Sequence, residues 1–106
     1  MQNRDTAILV RTKALLQKGW CRNALARDSE GVSIMPDRVS AVEWCLIGGI
    51  MRASSDLGFS HDYRGAGSYL SDLIPDSWIG KYNNSHTKEE VLNLIDRAID
   101  ASVTAS

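Results

Sequence analysis

Two cysteines, Cys21 and Cys45, and two histidines, His61 and His86, are the residues of this chain best suited to metal or nucleophile chemistry. None of their spacings is that of a zinc site, which places ligands as C-x-x-C or H-x-x-x-H. The expectation is no metal and no cofactor. A cysteine hydrolase would need a thiol, a histidine and an orienting acid such as Asp62, and no local pattern joins these three. Cys45 sits among Val42, Leu46 and Ile50 and reads as a buried structural thiol. The carboxylates of Asp28, Glu30, Glu89 and Glu90 fall where turns and helix starts use acids. With no legible acid/base pair, nucleophile or metal set, the chain reads as a non-enzyme.

One stretch has a binding flavour. Arg64-Gly-Ala-Gly67 precedes Ser68, and glycines ahead of a helix can offer backbone N–H groups to a phosphate. The full glycine spacing of a dinucleotide site is missing, as is the Gly-Lys-Ser/Thr ending of a P-loop. Around it, His61, Asp62, Tyr63 and Arg64, with Lys81 and Tyr82 from a second turn, mix charge with aromatic rings. These six are the expected partner-facing residues, because loops on a rigid scaffold carry function and aromatics anchor interfaces.

The elements that must position them follow from periodicity. Residues 5–18 read as a helix with Ile8, Thr12, Leu15 and Leu16 on one side. Gly19 is expected to end it in the left-handed region, with Trp20 folding back over Leu15. Asp28-Ser-Glu-Gly31 before Val32 and Ile34 predicts a type I turn closing a short hairpin on a glycine bulge. Residues 39–57 are apolar on nearly every side and predict a buried central helix. Ser40 and Glu43 have capping-box spacing, with Asp37 as a rival cap. Gly48-Gly49 costs about 1 kcal/mol per glycine relative to alanine, which points to close helix packing. Gly58 ends the helix.

The second half reads as a loop over 59–67, a short helix opening at Ser68 and stopped by Pro75, a turn at Asp76–Gly80 with Trp78 and Ile79 underneath, and a turn-rich connector over 81–86. Thr87 and Glu90 form a capping box for a last helix with Val91, Leu94, Ile95 and Ala98 on its inner face. The fold class is therefore α+β, mainly α: a central helix packed by N- and C-terminal helices and a short hairpin. Residues 1–106 are expected to form one globular domain, frayed at 1–4 and 102–106.

Composition sets outer bounds. Twelve basic and thirteen acidic residues give a net charge of −1, so the overall positive charge that drives non-specific nucleic-acid binding is missing. No apolar run approaches the roughly 20 residues that span a membrane. The polar start lacks a signal-peptide core, and two cysteines make no disulfide framework, so a reduced cytoplasmic protein is expected.

Ala24-Leu-Ala-Arg-Asp28 with Gly31, Val42-Glu-Trp-Cys-Leu-Ile-Gly48, Tyr82-Asn-Asn84, Thr87 with Glu90-Val-Leu92, and Asp96-Arg-Ala-Ile99 occur in that order. From Leu15 onward this arrangement resembles a family of small bacterial and phage proteins catalogued as a domain of unknown function. The resemblance implies a bacterial or phage setting and transfers no catalytic residue. The function expected, from the lack of any legible catalytic set, is binding or regulation, with a host or phage protein as the partner. Small phage proteins that block host defence complexes, CRISPR complexes among them, are the analogy. The alternative is a nucleotide- or phosphate-binding domain using Arg64 to Ser68.

Overall fold

A computed structural model describes residues 3–105. Helix α1 spans Arg4–Lys18 and starts where Asn3 accepts the Thr6 N–H at 2.8 Å. Ile8, Thr12, Leu15 and Leu16 are buried as their spacing predicts, joined by Leu9 and Thr6. The end of α1 differs from expectation. Gly19 is extended, with φ −167°, so no left-handed cap or Schellman turn forms. Glycine is needed there for space, since a Cβ would collide with the carbonyl oxygen of Val42. Trp20 instead runs parallel beside Trp44 in an isolated bridge.

The hairpin is as predicted. Strands β1 (Ala26–Arg27) and β2 (Ser33–Ile34) pair antiparallel. Gly31 has φ +81° and donates to Asp28 O at 2.9 Å, while Asp28 Oδ1 accepts from Glu30 and Val32 N–H. Two strands are marginal in water. A third, β3 (Glu43–Trp44), pairs with the free side of β1 and gives the order β2-β1-β3.

That third strand corrects the start of the central helix. Neither Ser40 nor Asp37 caps it. Residues 35–41 form two successive turns, closed by Arg38 N–H to Met35 O and Ala41 N–H to Arg38 O. The chain then pairs with β1, and α2 runs only over Leu46–Asp56. Cys45 is the N-cap, its Sγ accepting from Gly48 N–H at 3.3 Å. The apolar wheel merged two elements: Trp44 is buried from a strand and Leu46, Ile50 and Ala53 from a helix, while Val39 is 95% exposed. The glycine pair does permit close packing. A Cβ on Gly48 would collide with Leu25 O, and one on Gly49 would lie 2.5 Å from Leu16 Cδ1. Gly58, with φ +80°, follows the helix end.

Helix α3 covers Arg64–Ser71, four residues earlier than expected, so Arg64-Gly-Ala-Gly67 is its first turn and not a loop. Helix α4 covers Ile79–Ser85, where a connector was expected. Its driving force is tertiary, because Asn83 is fully buried and Ile79 and Tyr82 pack on the core. Helix α5 is Lys88–Ala105. The Thr87–Glu90 box forms in both directions, at 2.9 and 3.2 Å. Helix α1 packs against α2 and α5, and α3 lies on α5. The expected fraying is corrected at Arg4, which is helical, and at Ser102, which is buried with its hydroxyl 2.7 Å from Thr6 Oγ1. Residues 1, 2 and 106 lie outside the described residues. No helix among those described is long and apolar enough to cross a membrane.

Candidate functional site

The two thiols come first because they are the most reactive groups present. Both are free and buried. Burial pushes the Cys21 thiol up to about 11, with Cys45 and Glu43 nearby adding to the rise. Burial also raises Cys45, against the lowering effect of the backbone N–H groups at the start of α2. A thiol held protonated is a poor nucleophile. Neither histidine is hydrogen-bonded to a cysteine. His86 Nδ1 lies 2.8 Å from Tyr82 O and 3.0 Å from Ser85 Oγ, and its ring stacks on Tyr82 with centroids 3.7 Å apart. Among the described residues no three His, Cys, Asp or Glu side chains gather as a metal set.

A polar centre that pattern reasoning missed is Asn83. Its Oδ1 accepts from Trp20 Nε1 at 2.7 Å and from Leu46 N–H at 3.0 Å, and its Nδ2 donates to Cys21 O at 3.0 Å. Asn84 Oδ1 accepts from Asn23 N–H, which holds that residue at φ +62°. Asn83 thus ties α4 to the N-terminus of α2 and to the strand ends. Its signal in the sequence, Tyr-Asn-Asn, is also what a turn looks like.

The six expected partner-facing residues are distributed over three clefts and one exposed ion pair. Asp62 is exposed and paired with Arg4. His61 faces a cleft of about 250 Å³ formed with Met35, Asp37 and Met51. Tyr63 and Arg64 line a second cleft of about 260 Å³ with Ile47, Ile50, Gly67 and Ile79. Lys81 and Tyr82 line a third, of about 270 Å³, with Ile74, Pro75 and His86.

Trp78 belongs to the turn that supplies Ile79 to the second cleft and Asp76 and Lys81 to the third. It was expected underneath its turn and is 66% exposed, while its neighbour Ile79 turns inward. The turn that carries it is fixed. Asp76 Oδ1 accepts from Trp78 N–H at 3.1 Å, and Asp76 pairs with Lys81 at 3.1 Å. These two donors, the N–H first, hold the Asp76 carboxyl below its ordinary range. Ser77 has φ +62°, and Lys81 Nζ lies 5.8 Å from the Trp78 ring centroid.

The phosphate reading fares differently. With residues 64–67 helical, Ser68 Oγ is occupied by Arg64 O at 3.1 Å. The Asp5 carboxylate lies against Gly65, 2.5 to 2.6 Å from where a Cβ would stand. This negative charge from α1, set beside the first turn of α3, opposes a second anion there.

A family model matches residues 1–101. The chain belongs to a family of unknown function, DUF6197. The match extends the resemblance to the whole of α1. No curated protein and no solved structure matches the chain. Membership in the family brings no activity with it, so function has to be argued from this geometry.

Proposed function

We propose that this chain is a small non-enzymatic interaction protein whose partner-facing surface is centred on Trp78. The observation that carries the proposal is a two-thirds-exposed indole on a turn held by Asp76 and Lys81. Full burial of a large apolar side chain is worth about 1.5–3 kcal/mol, and folding leaves most of that ungained here. An indole has two side-chain torsions, so on a held backbone it loses little entropy when a partner covers it, which suits an interface anchor. The apolar cleft of Ile47, Ile50, Tyr63 and Ile79 adjoins it, with Arg64 at the rim and Lys81 alongside. The partner class is host or phage protein in a reducing cytoplasm. Its finer form is a phage-encoded inhibitor of a host defence complex, CRISPR complexes included. What supports that form is analogy with small phage proteins of one domain.

The test compares immobilised wild type with Trp78→Ala and Tyr63→Ala in bacterial lysate, with melting measured for each. Bacterial proteins retained by wild type and lost by a Trp78→Ala variant of unchanged melting are the expected result. Equal capture by all three sinks the proposal. A melting rise with nucleotide or inorganic phosphate that Arg64→Ala abolishes would favour the anion-binding alternative.

A further inference from the structure

We propose that the cleft between the end of β2, the outer face of α2 and the 59–61 segment binds a soft monovalent cation, Cu(I) or Ag(I), through Met35, Met51 and His61. The three residues come from three separate stretches of chain, the position after β2, helix α2 and the loop between α2 and α3, and line one open space of about 250 Å³. Met35 is 51% exposed and lines the cleft together with Met51 and His61. Met51 lies half-buried on α2, on the side opposite the Leu46–Ile50–Ala53 core stripe. His61 is exposed, and among the described residues its ring takes part in no hydrogen bond. Ser60, just before it, is held at φ +54°, a conformation that β-region loops do not need.

The donor set selects the ion. Hard or borderline divalent metals want carboxylate, imidazole or thiolate ligands in threes and fours. No such group of three is present among the described residues. Two thioethers and one imidazole suit a soft, singly charged d¹⁰ ion. Asp37 lines the same cleft and supplies one negative charge. Arg52 stands behind it, bonded to Pro36 O and Arg38 O, and is balanced by Asp56. One added positive charge is tolerable beside that guanidinium, and two are opposed more strongly.

The probe is Ag(I), which needs no reductant. One equivalent added to the full chain should shift the methyl resonances of Met35 and Met51, assigned with Met35→Leu and Met51→Leu, and should raise the melting point. The double variant M35L/M51L conserves volume and should keep the metal-free melting. It should lose at least tenfold in Ag(I) affinity, and H61Q should lose a similar factor. Zn(II) should not reproduce the rise. Unmoved methyl resonances overturn the proposal, as does an Ag(I) response that survives in M35L/M51L. Capture by the buried thiols would leave the methyls in place and lower the melting point, which overturns it equally. Trp78→Ala should retain the full Ag(I) response, so this site and the partner surface fail separately.

Discussion

At the end of β3, Trp44 is 5% exposed and its Nε1 donates to Pro36 O at 3.2 Å, with the Arg52 guanidinium 5.5 Å from the ring centroid. At the turn before α4, Trp78 is 66% exposed, and Lys81 Nζ lies over its ring at 5.8 Å from the centroid. The two regions differ in how polar groups are used. Around Asn83 the side chain reaches Trp20, Cys21 and Leu46, residues distant in sequence, and the Trp44 indole N–H reaches back to Pro36. Around Trp78 the hydrogen bonds are local and serve to hold the indole outward. The inner region is therefore organised for stability, and the outer one is the surface proposed for contact.

The largest way to break that contrast is Trp44→Ala. Removing a buried aromatic should destabilise by about 3–5 kcal/mol, read as a fall in the urea midpoint at unchanged slope. A near-wild-type midpoint would place Trp44 outside the core. Asn83→Ala should come next, at about 2–4 kcal/mol. It strips partners from Trp20 Nε1, Leu46 N–H and Cys21 O, and a buried orphan costs about 1–3 kcal/mol before relaxation. Asn83→Asp keeps the acceptor and loses the donor, so chemical denaturation at neutral pH should find it less damaging only if the acceptor carries the junction.

The cap on α5 sharpens the comparison at smaller magnitude. Thr87→Ala should cost about 1 kcal/mol. Glu90 titrates below its ordinary range because the Thr87 N–H and hydroxyl hold its charged form. A depressed folded value stabilises above the unfolded carboxyl range, near about 4.3, and that contribution fades as pH falls through the folded value. Melting of Glu90→Gln should therefore lie below wild type at pH 7 and converge with it in acid. A constant gap at every pH would assign the effect to something other than the carboxylate. The smallest stability effect belongs to Trp78→Ala, within about 0.5 kcal/mol of wild type by thermal melting. A loss above about 2 kcal/mol would erase the contrast between the two tryptophans and move Trp78 into the fold.

The candidate surface was only partly legible before the fold was known. Tyr63 and Arg64 are placed together at the apolar cleft, and Lys81 lies beside Trp78. His61 belongs to another cleft, and Trp78 faces outward where its pattern predicts burial. The pattern Trp-Ile marks one side chain for burial without saying which. That choice rests on the left-handed Ser77 and on the Asp76 contact, which rotate Ile79 inward.

What the amino-acid sequence determined by itself is what residues close along the chain can decide: the buried stripe of α1, the Asp28–Gly31 turn, the end of α2 near Gly58 and the Thr87–Glu90 box. In each, the hydrogen bonds or the periodicity close within about a turn of chain. Only the tertiary structure decided that Glu43–Trp44 is a strand, that α3 begins at Arg64 and that 79–85 is a helix. Trp44 needed β1 as a partner, and Asn83 needed Trp20, which is 63 residues away. A residue's local propensity is worth tenths of a kcal/mol, whereas a buried pairing or an orphaned polar group is worth whole ones, so where the two disagreed the distant partner prevailed.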